Sequence, residues 1–150
     1  MTRSTFAKAM LAVTLMAPVP APLLAQTRQD WDAAHHPQEV LARFPAVRQA
    51  WHAVVPRAYR HQAWVYALAG TASEMEFANT GRPSAMGTVC KPHDCGDHVV
   101  AWLIALDGSR AVGAMMLPET AGHRRHERWF GAPTAQERAS LTVVLYQGRQ

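Results

Sequence analysis

Apolar residues recur at helical spacing in the first half of the chain and at strand spacing in the second. From Pro37 onward, Val40, Leu41, Phe44, Val47, Trp51, Val54 and Val55 follow one another at steps of three and four, which places them on one helix face. Pro45 interrupts that face, so the helix either kinks there or restarts with Pro45 in a new first turn. Pro56 closes the region. Ala63 to Ala69 is a short apolar run ended by Gly70. Met75 and Phe77 then alternate with Glu74 and Glu76, as on a half-buried strand, and Asn79-Thr80-Gly81 is a turn signal. Ser84 to Val89 leads into two cysteines. Val99 to Leu106 is wholly apolar, and Arg110 to Leu117 follows it across Asp107-Gly108, the signal of a hairpin turn. Glu127 to Phe130 reads as another strand. Pro133-Thr134 opens a short helix, with Thr134 and Glu137 at capping-box spacing, and Leu141 to Tyr146 reads as a final strand. The order predicts an α+β fold: an antiparallel sheet of about five strands with helices packed on one face.

The first residues have a different texture. Arg3 and Lys8 precede an apolar run from Ala9 to Ala17, and Ala25 is a small residue suited to the position before a signal-peptidase cut. Residues 1–25 are therefore expected to be a signal peptide. The run falls short of the roughly 20 residues that a membrane-spanning helix needs. Residues 26–36 are polar, with Trp31 as the only large apolar group, and are expected to form a flexible N-terminal arm, with 37–150 as a single domain. Removing the signal segment changes the charge. Arg3 and Lys8 leave and no acid does, so the net charge falls from +4 to +2. That excess is too small to argue for nucleic acid or anionic lipid as a partner. The mature chain is expected in the periplasm of a Gram-negative source, without membrane attachment.

An apolar fraction of 49% against 17% charged residues excludes intrinsic disorder. The five tryptophans are spread along the chain, which favours core roles, and Met115-Met116 reads as core filling. His35-His36 lies in a polar stretch and reads as solvated. His123 to His126 reads as a basic cluster facing water. There is no paired-carboxylate spacing, no Gly-rich phosphate loop and no nucleophile elbow, so nothing marks the chain as an enzyme and no cofactor is implied.

The informative segment is Cys90-Lys91-Pro92-His93-Asp94-Cys95-Gly96. A disulfide between cysteines so close gains only about 2 kcal/mol by chain entropy. Its better use is local: with Pro92 it freezes four residues that include a cation, a histidine and an acid. Three chemistries compete with a plain stapled turn. Cys90, His93, Cys95 and His98 could ligate zinc, although their spacing is tight for separated ligand pairs. Cys90 could act as a thiol nucleophile, although redox motifs usually carry two intervening residues. The third is a rigid displayed loop that enters a partner's cleft.

The run from Cys90 to Cys95 resembles the signature loop of the Ivy family, bacterial inhibitors of vertebrate C-type lysozyme. Ala63-Trp64-Val65 upstream is similar to the family's own Ala-Trp-Val, and the signal segment and mature length agree. The resemblance implies an exported α+β inhibitor with a protruding loop and a disulfide between Cys90 and Cys95. Lys91, Pro92, His93 and Asp94 would form the inhibitory loop, which plugs the lysozyme active site with His93 against the catalytic carboxyl groups. Asp94 would orient His93 or accept from donors on the target. C-type lysozymes are basic, so steering by a +2 chain would have to come from local acids such as Asp94, Asp97, Glu74 and Glu76. The resemblance leaves room for a homodimer. The alternatives are a periplasmic module that binds another wall-lytic enzyme, and a small metal-binding periplasmic protein.

Overall fold

The computed structural model describes residues 28–122 and 124–147, so the expected signal peptide lies outside the described residues. In chain order the elements are α1 (Arg28–Asp32), α2 (Pro37–Arg43), α3 (Pro45–Val54), a 3-10 turn (Arg57–Tyr59), α4 (Ala63–Tyr66), β1 (Thr71–Ala72), β2 (Glu76–Asn79), β3 (Pro83–Cys90), β4 (Val99–Ala105), β5 (Ala111–Leu117), β6 (His126–Phe130) and α5 (Ala135–Gln147). The strands form one antiparallel sheet in the order β1-β3-β4-β5-β6, with β2 also on β3. The sheet has six strands where about five were expected, because its outer edge is split between β1 and β2. Ser73 bridges the split: its N–H donates to Thr88 O at 3.0 Å and its Oγ accepts from Thr88 N at 2.9 Å.

Pro45 restarts the helix. It occupies the first turn of α3, while Phe44 is the C-cap of α2 and the N-cap of α3, with an extended backbone. Trp51 on α3 packs against the sheet at Gly113, where an added Cβ would stand 2.9 Å from the indole. Its Nε1 donates to Val65 O at 3.0 Å, which ties α3 to α4.

Every residue of β4 is buried, and its side chains alternate between two cores. Val100, Trp102 and Ile104 join the core under α2, α3 and α4, whereas Val99, Ala101 and Leu103 join the one under α5. The expected helical layer is present, and α5 covers the opposite face as well. A strand covered on both sides has no solvent face, so Val99 to Leu106 shows no polar alternation.

Three expectations are corrected. Leu141 to Tyr146 is not a strand; it is the second half of α5. Thr142, Val143 and Val144 are β-branched and favour strands in isolation. The buried set, however, is Leu141, Val144 and Leu145, at helical spacing, while Val143 and Tyr146 are exposed. Within the expected arm, residues 28–36 are docked. Trp31 on α1 is fully buried, stacks on Phe44 at 6.0 Å and donates from Nε1 to Leu106 O at 3.3 Å. His36 is not simply solvated. Its Nδ1 accepts from Gln38 N at the start of α2, and its Nε2 lies 3.0 Å from Gly70 O. Trp31, the one large apolar group, is joined by buried Ala34 and by the bonds of His36 in holding this polar stretch against the core.

The capping box of α5 is present as expected. Glu137 N donates to Thr134 Oγ1 at 3.2 Å, and Thr134 N donates to Glu137 Oε2 at 2.7 Å. Glu137 is also gripped by Arg110, with Nε at 2.6 Å from Oε1 and Nη2 at 2.7 Å from Oε2. This bidentate pair joins the start of β5 to the start of α5. The Arg110 hydrogen bonds hold the Glu137 carboxyl at about 2, well below its ordinary 4.5.

Because the folded-state value is the depressed one, the stabilisation from Glu137 is complete above about pH 4.5 and is lost as pH falls toward 2. Glu137→Gln should cost roughly 3 kcal/mol at pH 7, since it removes the buried negative charge that Arg110 pairs with. In urea melts the gap from the parent should close toward pH 2. Trp31→Ala should cost about 3 kcal/mol or more. An unchanged melting curve would mean that the segment does not dock in solution.

Candidate functional site

The cysteine loop is the connection between β3 and β4. Cys90 is the last residue of β3 and pairs with Val99, the first of β4. Both are buried, at 6% and 0% exposure. Cys90 and Cys95 form a disulfide with their Cα atoms 4.9 Å apart. Bonded to each other, the two sulfurs are available neither as zinc thiolates nor as a nucleophile, so the zinc and thiol readings fall.

Inside the ring the chain makes a tight turn. Asp94 N donates to Lys91 O at 2.9 Å, closing a four-residue turn with Pro92 second and His93 third. Pro92 supplies the fixed φ favoured at the second position. His93 has φ 65°, in the left-handed region that side chains rarely enter. Lys91, Pro92 and His93 are exposed. The ring of His93 therefore sits at the tip on a backbone held from both sides.

Asp94 does not orient His93. Its Oδ2 lies 2.7 Å from His98 Nδ1 and 3.3 Å from Lys91 Nζ. His98 closes the base of the loop. Its carbonyl accepts from Lys91 N at 3.0 Å, its N–H donates to Asp94 O at 3.2 Å, and its ring meets the edge of Trp64 with centroids 6.2 Å apart. Asp97 is also engaged, accepting from Arg125 Nη2. The two loop acids proposed for steering are thus paired within the molecule. Glu74 and Glu76 are exposed.

The loop wall borders a cleft of about 490 Å³ lined by Tyr59, Gln62, Trp64, Lys91, His98, Met115, Leu117 and Pro118. Sequence reasoning missed this cleft, and it weighed His98 only as a metal ligand. The i, i+4 spacing of Asp94 and His98 was a usable signal for their pairing. The approach of residues 59–64 to 115–118 is tertiary and left no local mark.

A family model described as "Inhibitor of vertebrate lysozyme (Ivy)" matches residues 46–137. The chain is similar to the "Inhibitor of vertebrate lysozyme" of Pseudomonas aeruginosa, with 29% identity over 110 residues, covering 67% of this chain and 72% of that protein.

The turn geometry makes a prediction that needs no partner. Glycine and asparagine occupy the left-handed region with little strain, whereas a β-branched residue does not. His93→Asn should leave the unfolding midpoint near that of the parent, and His93→Val should cost roughly 1 kcal/mol. Equal midpoints for the two variants would show that position 93 does not hold a positive φ in solution.

Proposed function

This chain belongs to the Ivy family of inhibitors of vertebrate lysozyme, and from that premise we propose that it is an exported inhibitor whose loop 90–95 enters the active-site cleft of a C-type lysozyme. It acts by binding and is not itself an enzyme. The observation that carries the insertion mechanism is the conformation of His93: exposed at the tip, in the left-handed region, within a disulfide-closed turn.

The chemistry follows from the target. Lysozyme sets a glutamic acid with a raised pKa and an aspartate on either side of the scissile bond. An imidazole has two nitrogens that point apart, and when protonated both donate. One ring can then bridge two carboxyl groups with charge-assisted bonds. Asp94 is turned toward His98 and Lys91, so it neither claims the His93 ring nor presents a free like charge to the enzyme's carboxylates. Lys91 adds a positive charge beside the tip.

Affinity on this reading comes from preorganisation. A flexible six-residue segment would lose much conformational entropy on docking, whereas this one is already confined. The periplasm is where such an inhibitor would meet an incoming lysozyme, and its oxidising chemistry keeps Cys90 and Cys95 paired. Among the described residues no helix is long and apolar enough to cross a membrane.

In a cell-wall lysis assay with purified C-type lysozyme, His93→Asn should raise the inhibition constant roughly 100-fold while retaining the fold. Inhibition equal to the parent's would overturn the plug. Replacing both Cys90 and Cys95 by serine should weaken inhibition by a larger factor than it lowers stability, since the ring confines the loop more than the domain. Urea melts and inhibition curves on the same samples compare the two.

A further inference from the structure

The loop alone is too small to make a stable complex. Specific protein–protein interfaces bury about 800 Å² on each partner, from some 20–30 residues a side. The disulfide ring spans six residues, and only Lys91, Pro92 and His93 are exposed within it. An enzyme that takes in the tip must therefore cover surface beyond the ring.

The concavity that adjoins the loop is the cleft of about 490 Å³. Lys91 and His98 form one of its walls and belong to the loop connection itself. Trp64 and Met115 are buried in its floor, at 6% and 3% exposure, beside half-buried Leu117. Half-buried Tyr59 and Gln62 also line it and carry polar groups. Tyr59 stacks on Phe130, with ring centroids 5.9 Å apart, and carries the Arg128 guanidinium 5.6 Å from its ring centre. The lining thus combines apolar Trp64, Met115 and Leu117 with the polar groups of Tyr59 and Gln62 and the charge of Lys91.

We propose that this cleft is a second anchor point of the same complex: when His93 enters the active-site groove, the cleft receives an aromatic side chain from the lysozyme surface that faces it. This rests on the insertion reading above and adds the partner chemistry of the adjoining surface. An aromatic ring suits the base formed by Trp64, Met115 and Leu117. A polar edge on that ring, an indole N–H or a phenol, matches Gln62 and Tyr59. His98 touches both features. Its contacts with Asp94 and the Lys91 backbone set the loop, and its ring against Trp64 forms the cleft wall. Loop and cleft therefore dock as one rigid surface, which is how a few anchors carry most of an interface's affinity.

The test uses the full mature protein and purified C-type lysozyme. Amide hydrogen exchange of the inhibitor should show protection on complex formation in residues 59–66 and 115–118 as well as in 91–98. Gln62→Trp, which fills the cleft from its own rim, should raise the inhibition constant tenfold or more with the loop residues unchanged. Protection confined to 91–98, or full inhibition by a folded Gln62→Trp protein, would overturn the second anchor while leaving the plug intact. A parent protein that does not inhibit lysozyme at all would overturn the insertion reading and the anchor with it. If Gln62→Trp does not fold, the exchange pattern of the parent decides alone.

Discussion

The pairing of Cys90 with Val99 is the constraint on which the rest of the site depends. It closes the ladder of β3 and β4, a strand pair packed between two cores. A strand end buried on both sides does not shift without opening those cores, so the loop inherits its position from the centre of the protein. Two further closures act at the same point: the bond from Cys90 to Cys95, and the hydrogen bond from Lys91 N to His98 O. Each spans few residues and contributes little to the stability of the whole chain. Their effect is concentrated on the residues between them.

Charge within the loop is arranged inward. Asp94 is shared between Lys91 and His98, and Asp97 is taken by Arg125. Neither acid is left to build a negative field that would draw in a basic enzyme, and the mature chain is expected to be net positive. Glu76 lies on β2, opposite Met86 and well down the strand from Cys90. On the proposed insertion, long-range steering would therefore be a small part of recognition, and the encounter would depend on shape and on short bonds made after contact. An interface of that kind is decided by its dissociation rate, where rigidity of the 90–95 loop would have its effect.

The antiparallel strands, the hairpin at Asp107-Gly108 and the capping box of α5 were all legible, because each is written in local spacing and turn chemistry. The errors came where tertiary packing overrode local preference. Thr142-Val143-Val144 looks like strand sequence, but the sheet needed its second face covered, and Leu141, Val144 and Leu145 meet that need only as a helix. Trp31 stands alone in a polar stretch, and nothing nearby says that Phe44 and Leu106 wait to receive it. At the site, the cysteines, Pro92 and His93 could be picked out from sequence. The role of His98 could not, since it depends on Trp64 arriving beside it from α4.

The backbone at position 93 gives an independent reason to assign its side chain a task. A residue other than glycine in the left-handed region costs on the order of 1 kcal/mol, and glycine or asparagine would lie there with less strain. The His93 ring offsets none of that cost from within: among the described residues it makes no hydrogen bond or ion pair. What holds the conformation is the surroundings, namely Pro92 before it, the bond from Asp94 N to Lys91 O across it, and the disulfide around it. An unpartnered, exposed imidazole on an over-determined backbone position is the arrangement that the proposed plug requires. A carboxylate pair in a narrow cleft, which can accept from both ring nitrogens at once, is the partner that such a group fits.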